Sequence, residues 1–361
     1  MKRVIIVGGG YAGSTLARAL DATFEVVLVE PREAFVHNVA AIRSLVEPSL
    51  LDRIILPYDR LLKRGQVMRD RVQSVAEGRV TLAGGQTLQA DYVVLATGST
   101  YAQPFKPVSD AMSDFRTAQA GLQAEIKAAR SIAIVGAGAV GVELAGEIAS
   151  TLSGKDITLI AATARLFPDF PAGLSAKLAA DLKALGVRLK TGAKAEGLSG
   201  LDRPTRGTLQ LETGESLAAD LIIPAMGARP ATHVTAGLPN ARYDSLGRIA
   251  VDGWMRPAGM SQVFALGDMA ANGDLMTIVA SSRQAPWLAK TLTALATGAA
   301  VETLPPYTPW LAPPILVPLG PKRGASVLPL GRNGTVVGPF LTGLIKGKSL
   351  FNPRYHKEFG L

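Results

Sequence analysis

Arg3-Val4-Ile5-Ile6-Val7 is a short, β-branched apolar run, and Gly8-Gly9-Gly10-Tyr11-Ala12-Gly13 follows it without a break. Ser14 to Leu20 then has helical character. This succession of strand, tight glycine turn and helix constrains the fold more than any other stretch of the chain. Gly8 permits the turn, Gly10 leaves room for a pyrophosphate against bare backbone, and Gly13 lets the helix pack closely on the strand. The unpaired N–H groups and dipole at the helix N-terminus favour phosphate there. A second strand, Glu25-Val26-Val27-Leu28-Val29, ends in Glu30, whose carboxylate would take both hydroxyls of an adenosine ribose. With Glu30 in place, a common glycine pattern becomes a dinucleotide-binding signature.

The chain has 361 residues, 48% hydrophobic and 19% charged, which allows two or three domains with a sizeable core and argues against disorder. It contains no cysteine. Structural disulfides, a redox-active cysteine pair and thiolate metal sites are all excluded. His37, His233 and His356 are scattered, so no metal centre is expected. No apolar run reaches spanning length, and Met1-Lys2-Arg3 enters a strand with no signal sequence. The expectation is a cytoplasmic protein, soluble or peripherally attached to a membrane. The net charge is +9, and seven cations from Lys322 to Lys357 face Glu358 alone. Such a basic tail suits an anionic membrane, an acidic partner or simply a solvated face. No nucleic-acid recognition module accompanies it, so no specific nucleic acid is expected.

Along the chain, residues 31–65 read as irregular, with Pro31, Pro48 and Pro57. Residues 66–98 read as short strands, the last being Asp91 to Leu95 closed by Ala96-Thr97-Gly98. A proline-containing crossing leads to a predicted helix over Thr117 to Ala129. Then the opening signature returns. Ser131 to Val135 is a strand, and Gly136-Ala137-Gly138-Ala139-Val140-Gly141 is again a glycine turn. A helix over Val142 to Leu152, a strand over Asp156 to Ala161 and a helix over residues 174–185 follow. Asp220 to Gly227 repeats the pattern of 91–98, and Val263 to Leu266 ends in Gly267-Asp268 before a predicted helix from about Thr277 to Leu295. The fold class is therefore α/β, with two Rossmann-like dinucleotide-binding domains, the second inserted in the first. The boundaries read as 1–112 and 237–299 for the first domain, 113–236 for the second, and 300–361 for a small C-terminal α+β module.

Two dinucleotide sites in one cysteine-free chain suggest that electrons pass directly between two cofactors. Glu30 places FAD at the first turn, and the second takes NADPH or NADH. This arrangement resembles the two-dinucleotide-binding-domain flavoproteins of the glutathione-reductase-like superfamily over roughly residues 1–300. A narrower resemblance rests on Phe35-Val36-His37-Asn38-Val39-Ala40-Ala41-Ile42-Arg43, Ala96-Thr97-Gly98-Ser99-Thr100, Gly141-Val142-Glu143, Gly331-Arg332-Asn333-Gly334 and Gly347-Lys348-Ser349-Leu350-Phe351. These stretches are similar to the mitochondrion-associated apoptosis-inducing-factor homologue, or ferroptosis suppressor protein, family. That family reduces quinones with NAD(P)H and is a cousin of type II NADH dehydrogenases. The acylated N-terminus of its membrane-anchored members has no counterpart in Met1-Lys2-Arg3.

The resemblance implies a flavin site built from the first turn, Glu30, Pro31, Arg32, Val72, Ala96 to Gly98, and Gly267 with Asp268 on the ribityl chain. It also sets Asn38, Val39 and Arg43 beside the flavin ring. Three residues are expected at the chemistry: Glu143 near the nicotinamide, His37 against flavin or quinone, and Gln284 at the flavin edge. Gly136 to Gly141, Gly227 and Arg165 belong to the nicotinamide site. Ala161 stands where Glu30 stands in the first repeat, so no carboxylate repels a 2′-phosphate, and Arg165 would pair with one. The expected acceptor is a quinone or another small molecule. The alternatives are a ferredoxin- or rubredoxin-type reductase and a redox-switched flavin-binding signalling protein. Phe340, Leu341, Leu344 and Ile345 share a helical face beside Lys346 and Lys348, which suits peripheral membrane contact, core cover or a homodimer interface.

Overall fold

The computed structural model describes residues 1–197 and 202–361. Two five-stranded sheets organise it. The first is fully parallel, in the order Val263–Ala265, Tyr92–Leu95, Arg3–Val7, Glu25–Val29, Gln66–Met68. The second has the order Arg188–Lys190, Asp156–Ile160, Ser131–Val135, Ser216–Pro224, Thr205–Gln210, with only the last pair antiparallel. Every strand of the second sheet lies in sequence between two neighbours of the first, so one sheet is nested inside the other. In each, the strand before the glycine turn occupies the centre, where both faces are covered and apolar residues run continuously.

The two turns repeat in atomic detail. Gly8 has φ 103° and Gly136 has φ 109°, a region that other residues rarely adopt. A Cβ on Gly13 would stand 1.9 Å from the Gly8 carbonyl oxygen, and one on Gly141 would stand 1.9 Å from that of Gly136. These glycines let the helices α1 (Tyr11–Leu20) and α4 (Ala139–Thr151) start directly on their strands.

Between them lie α2 (Asn38–Ser44) and α3 (Met112–Ala128). α2 and the strands Ala34–Val36 and Ile55–Pro57 occupy the stretch read as irregular. α3 starts earlier than expected because Met112 and Phe115 continue the buried face of Leu122 and Ile126. After α5 (Ala172–Ala184), α6 (Ile278–Ala296) packs on α1 beneath the first sheet through Leu288, Leu292, Leu16 and Leu20.

The last sixty residues are shared between the two units. The antiparallel strands Ile315–Leu319, Arg323–Leu328 and Thr335–Val337 bury Val317, Leu319 and Val327 in the core of the second. Gly146 on α4 permits that approach, since a Cβ there would meet the Leu319 Cα at 2.6 Å. The run α7 (Pro339–Thr342) continues as a π-helical turn, Gly343–Gly347. The chain then reverses through Leu350 and Phe351, with φ 50° and 63°. α8 (Asn352–Glu358) returns it to the first unit, where Tyr355 and Phe359 pack on Phe35.

Candidate active site

Three adjoining hollows form one trench from the tip of the second strand to the space between the two units. The first is bounded by Gly8, Glu30, Pro31, Arg32 and Val72. Glu30 is buried, accepts the Gly9 N–H at 2.6 Å, and holds the Arg32 guanidinium at 2.7 Å. Burial alone would raise its pKa, but Arg32 and these hydrogen bonds outweigh that and keep the carboxyl below the usual range. The carboxylate is thus held ionised at the end of the strand, as an acceptor for hydroxyl groups.

Arg32, Thr97 and Ser99 lead into the second hollow, lined by Gly10, Ala12, Ala96, Gly98 and Gly267. A Cβ on Gly10 would meet nothing within 4 Å, so the turn leaves its open side to the trench. Asp268 sits here. It accepts the Ser99 hydroxyl at 2.5 Å, and the Lys106 ammonium lies 3.5 Å away. Lys106 also donates to the Ser99 hydroxyl at 2.6 Å and its carbonyl at 3.0 Å. Gln284 stands behind this turn rather than facing the trench. Its carbonyl accepts the Gly267 N–H at 2.8 Å and its amide donates to Asp274 at 3.0 Å. The expectation that Gln284 reaches a flavin edge is corrected: it is buried and spends both ends on the protein.

Tyr11, Asn38, Lys106 and Asp268 carry the trench into the third hollow, which lies between the units. Val39, Ile42 and Phe105 line one side, and Ala139 and Val140 at the start of α4 line the other. Ile315, Lys346 and Phe351 close it from the C-terminal segment. Glu143 lies in this wall, one turn into α4, with Lys346 Nζ at 2.6 Å from Oε1. Burial raises its pKa against the pull of Lys346. One turn further, Glu147 receives Arg43 of α2 through Nε at 3.0 Å and Nη2 at 2.8 Å. Arg43 is consequently a buried strut between α2 and α4 and not a residue of the trench.

His37 is fully buried behind Tyr11. The Tyr11 hydroxyl accepts the Val39 N–H at 3.2 Å and lies 2.9 Å from His37 Nδ1. His37 Nε2 lies 2.5 Å from the Leu350 carbonyl. One neutral tautomer satisfies all three contacts: Nε2–H donates to Leu350, and the tyrosine O–H donates to Nδ1. Burial lowers the pKa to about 4. The expected contact of His37 with flavin or quinone is corrected to a support for Tyr11 and for the left-handed turn at Leu350 and Phe351.

At the second glycine turn a Cβ on Gly138 would also meet nothing within 4 Å. Gly227 lies beside Ala228, which borders the third hollow. Arg165 donates to the carbonyls of Phe170, at 3.1 Å, and Pro168. It braces its own loop, beyond an Ala161 that carries no charge.

Residues 2–285 match the family model described as pyridine nucleotide-disulphide oxidoreductase. The chain belongs to that family. Over 98% of this oxidoreductase and 96% of the relative, it is 31% identical to apoptosis-inducing factor homolog B of Dictyostelium discoideum. It is also 31% identical to ferroptosis suppressor protein 1 of Taeniopygia guttata, over 74% of each chain. Among solved structures, the covalent putidaredoxin reductase–putidaredoxin complex aligns with a TM-score of 0.70 at 20% identity, covering 90% of this chain and 81% of that one.

The trench therefore collects Gly8, Gly10, Tyr11, Ala12, Glu30, Pro31, Arg32, Asn38, Val39, Val72, Ala96 to Gly98, Gly267, Asp268, Ala139, Val140 and Glu143. It leaves out His37, Arg43, Gln284 and Arg165 as direct contacts. Lys106, Tyr101, Lys346 and Phe351 line it without having been singled out for it. Among the described residues no helix is long and apolar enough to cross a membrane.

Proposed function

We propose that this chain is an FAD-dependent NAD(P)H:quinone oxidoreductase. One observation carries the reading: Tyr11 and Ala139, the first helical residues after the two glycine turns, line the same hollow. Two helix N-termini aimed at one cleft suit two dinucleotides meeting at their redox ends. The residues fit FAD. Gly10 leaves its side of the turn open, and the buried Asn38 Oδ1 has no partner within the protein, so it is left to accept from a ligand.

Glu30 would hold the adenosine ribose, the α1 N-terminus the pyrophosphate, and Asp268 the ribityl chain. Gly138, Val140 and Glu143 would receive the nicotinamide cofactor. Bound together, the two cofactors supply hydride transfer from nicotinamide to flavin and onward electron transfer to the acceptor. The protein contributes position and exclusion of water. Tyr11, Ile42, Phe105, Ile315 and Phe351 give the cleft apolar walls, which favour a flat apolar acceptor of the quinone class over a charged one. Ala161 leaves no carboxylate against a 2′-phosphate, so NADPH is accepted alongside NADH.

The test is an absorption spectrum of the purified protein. Flavin bands bleached by NADPH and restored by a soluble quinone support the reading. A folded, FAD-supplemented sample without flavin bands would sink it. Reoxidation by an acidic ferredoxin but not by quinone would replace it with a ferredoxin-type reductase.

A further inference from the structure

Asp274 is a buried residue on the connection between the Gly267–Asp268 turn and α6, and it borders none of the three hollows. An apolar residue would fill the same space without the cost of desolvating a charge. What a carboxylate adds is acceptors. Its oxygens take the Gln284 amide at 3.0 Å, the Tyr307 hydroxyl, and the Trp310 N–H at 3.2 Å. The side-chain oxygen of Asn272 also accepts from the Gln284 amide, at 3.2 Å. A glutamine amide has two ends of almost the same shape and opposite hydrogen-bonding character. With acceptors from Asn272 and Asp274 at one end, only the NH2 fits there, and the carbonyl is turned to the Gly267 N–H, 2.8 Å away. A reversed amide would set a donor against that N–H and an oxygen against Asp274. Gly267 has φ 74°, and Asp268 next to it lines the trench.

We propose that Asp274 is the positioning residue of the ribityl subsite. It selects the orientation of the Gln284 amide, and Gln284 in turn holds the Gly267–Asp268 turn in the geometry that receives the flavin chain. The inference rests on the flavin reading above. Asp274 is itself held from outside the turn. Arg248 donates to its carbonyl at 2.9 Å. Tyr307 and Trp310 come from a proline-rich segment, and the Arg283 guanidinium packs on both rings, 5.3 Å and 4.9 Å from their centroids. The same segment runs on to Pro314 and Ile315, which line the cleft. Asp274 therefore joins a wall of the cleft to the turn that would carry the flavin.

The experiment is calorimetric titration of the full-length protein, stripped of flavin, with FAD and separately with ADP. ADP probes the adenosine and pyrophosphate positions and does not reach the ribityl turn. Asp274→Leu keeps a branched side chain and removes the acceptors, and Gln284→Met removes the amide. Each should weaken FAD roughly tenfold, the scale of one lost buried hydrogen bond, and leave ADP binding unchanged. The double variant should bind FAD no more weakly than either single one, because both residues act along one path. Asp274→Asn keeps an oxygen for the Gln284 amide and should stay within about threefold of wild type. Unchanged FAD affinity in Asp274→Leu overturns the proposal. Equal losses of FAD and ADP overturn it too, by making Asp274 a general support of the fold, as do losses that add in the double variant. Should Asp274→Leu not accumulate in folded form, Gln284→Met decides with the same two ligands: unchanged FAD affinity, or equal losses of FAD and ADP, overturns the proposal. Wild type that takes up ADP but no FAD removes the flavin reading itself and this role with it.

Discussion

Lys346 Nζ reaches Glu143 Oε1 at 2.6 Å across a separation of 203 positions, and both side chains are nearly closed to solvent. The pair ties the C-terminal run to the helix of the second glycine turn. A buried pair contributes little over an apolar replacement, but losing one partner strands a charge. Lys346→Met should therefore cost about 3–5 kcal/mol in urea unfolding. Lys346→Met combined with Glu143→Leu should recover most of that loss. If the double variant is as unstable as the single one, the cost arises from packing and not from the stranded carboxylate.

The glycines divide into two classes with opposite outcomes. Gly13→Ala and Gly141→Ala drive a Cβ into a backbone oxygen 1.9 Å away, so the protein should lose cooperative unfolding or fail to accumulate in soluble form. Gly10→Val and Gly138→Val meet open space and should melt close to the wild-type temperature. Gly10→Val should emerge without flavin. Gly138→Val should keep its flavin but be reduced by NADPH and NADH at least tenfold more slowly. Flavin-to-protein absorbance and stopped-flow bleaching separate the two.

His37 supplies a pH dependence of stability. Its folded pKa of about 4 lies below the ordinary 6.5, so the fold favours the neutral ring. The associated stability is complete above pH 6.5 and is lost as pH falls toward 4. It amounts to about 3 kcal/mol. His37→Gln keeps a donor toward Leu350 and does not titrate. The stability advantage of wild type over this variant at pH 7 should shrink by about that amount at pH 4, measured by denaturant unfolding. A constant difference would mean that His37 takes up its proton alike in the folded and the unfolded chain.

Arg165 tests the choice of nicotinamide. Its guanidinium is bound to the carbonyls of Phe170 and Pro168, so pairing with a 2′-phosphate requires it to leave them. If it does, Arg165→Ala should lower the NADPH-to-NADH ratio of kcat/KM roughly tenfold, the scale of a charge-assisted contact. An unchanged ratio assigns Arg165 to its loop, and leaves Ala161 as the feature that admits both cofactors.

The parts of the site legible in the sequence are those whose geometry is local. Each turn needs glycine at the positive φ and glycine at the helix–strand contact, and both needs fall within six residues. Partners brought by the fold were less visible. His37 and Gln284 are residue types suited both to chemistry and to support, and only their neighbours decide. α2 is a seven-residue helix with no side-chain cap, so little in its own sequence marks it. It exists because Ala40, Ala41 and Ile42 are covered from elsewhere. Lys106 sits in a proline-containing crossing with no pattern of its own, and Lys346 and Phe351 arrive at the trench from the far end of the chain.

The nesting of one sheet in the other also sets an order of assembly. All strands of the inner sheet lie within residues 131–224, so it can close as soon as that stretch is available. The outer sheet cannot: Tyr92–Leu95 waits for Val263–Ala265, and Phe35 waits for Phe359, whose ring centroid lies 4.8 Å from its own. A chain emerging from the ribosome would therefore close the second sheet while the first still lacks an edge strand and part of its core. The half that begins the sequence is the half that finishes last, and until then its exposed strand is the molecule's principal aggregation hazard.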